Sequence, residues 1–502
     1  MSGHIAIPLF RSAAAACFAV ATLLPMAATA DEFSPSATRH LEQAVQSQPD
    51  GSHLSRLSSL RLLRDPAMKD LFYKLLQHKD WLVQVHALLG LAEIEDDGRL
   101  DPWLVTQIDP MAREQAIANA LDMELLDADT MLKILEWDHL ESSNRLLLMA
   151  ELQKQGRPID EKILEGLAND NDLIIAAVAS LLLARADDPG PLSNVSSRLS
   201  NASPSERNNV LQRLIEVIRI YEIAQATSWL DAMLDVENDD EDIAYWGTFT
   251  LMKLDPSVGR PHWNRLLGTS PSYRKRIMGA LQFLEAGLAP DADARARVEA
   301  DDDPLITLIM DTAEAVADDR TITTQVKELI DTGHPRVIDW TMRNARDLPA
   351  DQAAEIYGYF IDLPETARRR SLEVAQRSQA ISAMATLLEI APEDALRRLR
   401  EAEDDSMLQQ TLLMGSLQSQ HPELPATIAS LRRIGSSRPD SLALLLLARK
   451  GDQLSPSDLQ QLGRISAGGG QLNDTLQIQA AWLYLKHSDG LQAALVRLAP
   501  TD

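Results

Sequence analysis

Cysteine is almost missing from this chain: Cys17 is the only one in 502 residues, and it lies in an apolar leader. Arg11 precedes the run SAAAACFAVATLLPM, and Ala28-Thr29-Ala30 reads as a small-residue cleavage site. Residues 1–30 are therefore expected to be a secretory signal peptide. The exported remainder then has no cysteine, which excludes disulfides, a thiolate nucleophile, iron–sulfur ligands and covalent haem attachment. Such a chain is held by packing alone. Long hydrophobic runs are also lacking. The longest after the leader, Leu173 to Ala184, has the length of a core helix and is too short for a membrane span. The exported protein is thus expected to be soluble, not membrane-embedded.

Positive charge is in deficit, with a formal net charge of −26. That field repels nucleic acid and anionic lipid, and it favours a partner with a basic surface. Aromatic residues make up only 4%, few for a cleft that stacks sugars. Strand-like alternation is nearly absent, as are G-x-S-x-G, phosphate-loop, dinucleotide and H-E-x-x-H signatures. Ser272 and Lys275 match S-x-x-K, but the S-D-N and K-T-G elements that accompany it in penicillin-binding enzymes are missing. His78 and His86 are too far apart for an i,i+4 zinc pair. The acidic clusters at 95–97, 187–188, 239–242, 301–303, 318–319 and 404–405 lack the Gly and Glu of a calcium loop and read as solvated turns. No catalytic, cofactor-binding or metal residue is assigned, and no enzymatic activity is expected.

What is present is helical periodicity built from Leu, Ala, Gln, Glu and Arg, broken by short turns with Pro and Gly. One segment recurs. DPMAREQAIANAL begins at Asp109, and related segments begin at Asp80, Glu141, Asp172 and Ser203, about thirty residues apart. The copies at Asp80 and Asp172 align as Ala87 with Ala179, Leu89 with Leu181 and Ala92 with Ala184. Further starts fall near Asp240, Ser270, Asp302, Gly333, Leu363, Asp404, Ser437 and Asn473. Asp109-Pro110, Ser203-Pro204, Ser270-Pro271 and Asp303-Pro304 carry helix-start chemistry, a capping side chain followed by an imino acid without an N–H. Shorter helical segments lie between them, so each unit is a helix pair that buries its apolar face only by stacking on neighbours.

The pattern Asp109, Pro110, Arg113, Ala116, Ala120, Leu121, with echoes at Arg145, Arg207 and Arg274, resembles the second helix of a HEAT-like repeat. It is similar to the short variety seen in phycobilisome-lyase-type proteins. The resemblance spans roughly residues 66–500 and implies an α-solenoid of about 12–14 stacked helix pairs with an extended binding surface. It does not imply lyase chemistry. The expected organisation is all-α: N-terminal capping helices at 31–79, a repeat solenoid at 80–290, and a degenerate repeat solenoid with a C-terminal cap at 291–502. Arg113, Arg145, Arg207 and Arg274 share one repeat position and are expected to pair structurally rather than to bind phosphate.

Function is then expected from what the stack presents. The reading is an exported scaffold or adaptor, periplasmic or else secreted, that holds another envelope or secreted protein on a concave surface. Tyr245, Trp246 and Phe249, with Trp340 and Arg343 on a later copy, are the expected partner-binding residues. A glycan- or peptidoglycan-acting groove and a purely architectural spacer are the alternatives. Sugar-induced changes in Trp fluorescence would favour the former, and a salt-sensitive complex with a basic partner would favour the scaffold.

Overall fold

The fold is described from a computed structural model. It covers residues 32–95, 98–184, 190–235, 240–265, 270, 272–298, 303–362, 370–402, 405–417, 419, 421–431, 437–450, 454–469 and 472–498. The expected signal peptide and the acidic residues Asp96, Asp97, Asp187, Asp188, Asp239, Asp301, Asp302 and Asp404 lie outside these residues. Among the described residues every regular element is helical and there are no strands. None of these helices is long and apolar enough to cross a membrane.

Local chemistry sets the helix starts. Asp80, Asp109, Asp172, Asp240 and Asp303 each cap a helix by accepting backbone N–H groups on the carboxylate, as Met111 N donates to Asp109 at 2.9 Å and Ile174 N to Asp172 at 2.8 Å. Each cap satisfies donors that a first turn leaves orphaned, worth about 1 kcal/mol. Ser203 accepts from Glu206 N, and the full reciprocal box forms at Ser455 and Asp458. In the segment that begins at Asp109, the buried residues are Ala112, Ala116, Ile117 and Ala120. Ala87, Leu89, Ala179 and Leu181, aligned by sequence, are all buried.

The chain divides into two compact units, one made of Met1–Leu125 with Pro364–Asp502 and the other of Leu126–Leu363. In the second, the helices Ser142–Lys154, Leu173–Leu183, Pro204–Tyr221, Glu241–Leu254, Tyr273–Ala286 and Pro304–Ala317 form a row, each packed on the next. Shorter helices, among them Ala128–Leu135, Glu161–Leu167 and Thr227–Asp235, pack against members of the row. The core beneath is aliphatic, with Leu164, Leu181, Leu214, Ile218 and Leu230 essentially inaccessible.

Arginines stitch the turns. Arg145 donates to the carbonyls of Leu135 and Trp137, both at 2.8 Å, and Arg113 reaches Thr106 O at 3.4 Å. At Arg113 and Arg145 the side chain thus reaches back to the end of the preceding helix, where carbonyls lack intrahelical donors and carry partial negative charge.

The first unit draws on both ends of the chain. Its row runs through Arg370–Ile390, Ser406–Gly415, Arg438–Arg449 and Asp474–His487, then continues directly into Ser52–Arg61, Trp81–Ile94 and Pro110–Asp122. Ser34–Val45 packs against Asp474–His487 as well. Ser59 Oγ donates to Thr475 O at 2.6 Å, Gln479 Nε2 to Ser59 O at 2.8 Å, and Arg56 pairs with Asp474 at 3.1 Å. The segments expected at opposite ends of the array therefore share one core.

Candidate functional site

The helix Glu241–Leu254 begins where Asp240 accepts from Asp242 N and Ile243 N. That start places Tyr245 and Trp246 about one turn into the helix and Phe249 a turn further on. Tyr245 is inaccessible, Phe249 is buried and Trp246 is half-buried. The rings meet edge-to-face, Tyr245 to Trp246 at 4.9 Å and Trp246 to Phe249 at 5.8 Å between centroids. Such pairs each add about 0.5–1.5 kcal/mol beyond area burial. They also hold the indole in one orientation.

Trp246 forms part of the wall of a groove of about 500 Å³ between Pro204–Tyr221 and its own helix. From the facing helix, Asn209, Gln212, Arg213, Glu216 and Arg219 line it; Asp242 lines the near side. The Arg219 guanidinium lies 5.1 Å from the centroid of the Trp246 ring. Arg213 pairs with Glu216 at 2.5 Å. One aromatic face, two guanidinium groups and two carboxylates thus surround one groove. It can accept an apolar or cationic side chain against the indole and hydrogen-bond the chain that carries it.

A second polar cluster surrounds Tyr245. The Tyr245 hydroxyl donates to Glu285 Oε2 at 2.8 Å, and the Arg336 guanidinium sits 4.9 Å from the Tyr245 ring centroid. Burial raises the Glu285 carboxyl above the usual carboxylate range, while the Tyr245 hydroxyl, Arg336 and Arg343 pull the other way. Burial and the neighbouring Glu285 likewise raise the Tyr245 hydroxyl. This cluster braces the inner face of the helix that carries Trp246.

The five expected contact residues therefore fall in different places. Tyr245, Trp246 and Phe249 form one ring cluster. Among the described residues no ring contact includes Trp340, which is 5% exposed in its own helix Pro335–Asn344. Arg343 is exposed and pairs with Asp339 at 2.9 Å. Trp246 and Arg343 are the two with surface to offer. Arg219 and the stripe Asn209-Gln212-Arg213-Glu216 escaped sequence reading, although their spacing by three and four marks a single polar helix face. Glu285 and Arg336 carried no such signal. His78 Nδ1 accepts from Asp80 N at 3.0 Å, and His86 Nδ1 lies 3.1 Å from Arg61 Nη1. Among the described residues no group of three or more His, Cys, Asp or Glu is placed to hold a metal ion.

No protein-family model matches the chain, and comparison with curated proteins and with solved structures finds no match.

Proposed function

We propose that the protein is an exported binding scaffold, working in the periplasm or outside the cell, whose helix row presents the Trp246 groove to a segment of another envelope or secreted protein. In this reading the helix pairs are HEAT-like repeats, and the protein works by shape and charge and performs no chemistry. The observation that carries it is the mounting of Trp246: a half-buried indole on a groove wall, fixed by Tyr245, Phe249 and Arg219. A rigid aromatic in the wall of a polar-lined depression is the kind of residue that anchors interface hot spots. The net charge of −26 favours encounter with a basic partner. Glu216 and Asp242 offer that partner carboxylates inside the groove.

The test compares wild type with Trp246→Ala and Arg219→Glu in co-purification from the native host envelope. Both variants are expected to lose a stoichiometric partner while melting normally. Retained binding, or binding and stability lost together, would refute a surface role.

A second reading, glycan binding, rests on Asn209, Gln212 and Asp242 lying beside the indole, a combination suited to sugar hydroxyls. Titration with soluble peptidoglycan fragments while following Trp fluorescence separates the two.

A further inference from the structure

A second cavity, of about 550 Å³, lies within the unit that joins the chain ends. Its walls come from both ends: Ser55, Ser59 and Leu62 from the Ser52–Arg61 helix and its end, Thr475 and Gln479 from Asp474–His487. Ile381, Met414 and Leu476 supply aliphatic surface. This size falls within the range of small-molecule sites, about 300–1,000 Å³.

Two of its lining groups are left incomplete by the protein. Arg449, half-buried at the end of Arg438–Arg449, donates to the carbonyls of Leu417 and Leu62, the latter at 2.7 Å. A guanidinium has five N–H donors, and these bonds use two. No carboxylate pairs with Arg449 among the described residues. Burial draws its pKa down to about 10, with no anion to oppose the shift. Gln479, 3% exposed, spends its amide N–H₂ on Ser59 O and Ser59 Oγ, at 2.8 and 3.0 Å. Its Oε1 is buried with no partner. An unpaired buried acceptor costs about 1–3 kcal/mol. A cation without an anion thus lines a cavity whose remaining surface is largely aliphatic, while Gln479 Oε1 has essentially no accessible surface.

A ligand that completes Arg449 must carry an anion and a modest apolar group. We propose that this cavity binds a small apolar carboxylate of the N-acyl amino acid class, its carboxylate on Arg449 and its side chain against Ile381, Met414 and Leu476. The last residue of a peptide and a free acyl amino acid share this chemistry. A bound ligand would touch both ends of the chain and strengthen their junction.

The test is isothermal titration of the purified protein with N-acetyl-L-leucine, alongside its uncharged analogue N-acetyl-L-leucinamide. The acid is expected to bind and to raise the melting temperature, and the amide is expected to do neither. Arg449→Gln should weaken binding by about tenfold or more, the loss of one charge-assisted contact. That variant also loses two bonds to carbonyls, so Ser382→Trp provides an independent check: Ser382 is an exposed residue on the cavity wall, and a Trp there fills the space without touching Arg449's bonds. It should fold normally and abolish binding. Acetyl-Ala-Ala-Leu and its C-terminal amide distinguish the sources, since a peptide-end site takes the free acid at least as well as N-acetyl-L-leucine and an acyl amino acid site excludes the tripeptide. No binding of either acid, equal binding of acid and amide, or unchanged binding in Ser382→Trp would overturn the proposal.

Discussion

Trp482 Nε1 donates to Asp65 Oδ2 at 3.0 Å, joining residues 417 positions apart in the chain. Lys486 Nζ reaches the same oxygen at 2.8 Å, and Asp65 Oδ1 caps the turn that begins at Pro66 by accepting from Ala67 N at 3.1 Å. One carboxylate, 7% exposed, ties the turn after Ser52–Arg61 to the last long helix, Asp474–His487. Burial by itself would raise its pKa, but the bonds from Lys486, Trp482 and Ala67 outweigh burial and hold it below the ordinary value.

Asp65→Ala should therefore destabilise the first unit by about 2–3 kcal/mol, because a buried indole N–H and an ammonium lose their acceptor together. Urea unfolding measures the loss. Hydrogen exchange should quicken in Asp474–His487 while the row from Ser142 to Ala317 keeps its protection. The depressed pKa also fixes the pH dependence of this contact. Its contribution is fully present above the unfolded value, about pH 4, and is lost as pH falls through the lower native value.

His86 governs a higher window. Burial, then the charges of Arg61 and His53, lower its pKa from 6.5 to about 4. Its stabilising contribution is complete above pH 6.5 and declines as pH falls from there toward 4, because the unfolded chain takes up the proton first. The shift corresponds to at most about 3 kcal/mol, and partial exposure of the side chain reduces that to roughly 1–2 kcal/mol. His86→Gln should flatten the stability profile across this window, as read from melting temperatures at pH 7 and pH 5. An unchanged profile would mean that another group titrates there.

Gly259 tests the helix pairing beside the groove. A Cβ at this position would meet the backbone nitrogen of Met252 at 2.5 Å, and backbone cannot swing aside as a side chain can. Gly259→Ala should push Pro256–Trp263 off Glu241–Leu254 at a cost of about 1–3 kcal/mol. Thermal unfolding should register the change, and Trp246 fluorescence should shift with it.

Arg145→Met keeps the aliphatic stem and removes both bonds to the carbonyls of Leu135 and Trp137. A loss of about 1–3 kcal/mol is expected, with local hydrogen exchange quickening at the end of Ala128–Leu135. A neutral result would mean that water satisfies those carbonyls equally well.

Local rules made much of this molecule legible in advance. The caps at Asp80, Asp109, Asp172 and Asp303 follow from residue type and the Pro or apolar residues after them, and period-3.6 patterning fixed the all-helical class. The buried faces of the copies at Asp80 and Asp172 followed from their alignment. Long-range features were not legible. Nothing near Asp65 announces Trp482, because no local pattern encodes a contact between the two ends of a chain. Aromatic type drew attention to Trp246, yet its exposure relative to Tyr245 depends on which neighbour each side chain faces. Arg219 and Gln479 look like ordinary polar positions on amphipathic helices. Only the packing of the next helix turns the one into a groove wall and leaves the other with an unfilled acceptor.

The measurement that tests the scaffold reading most directly is site-specific photo-crosslinking from position 212, on the groove wall opposite Trp246, in the native host. The account predicts that one envelope or secreted protein is captured, and that the Trp246→Ala background abolishes the crosslink while the melting curve stays unchanged. A crosslink that survives Trp246→Ala, or no protein captured from position 212 at all, would contradict it.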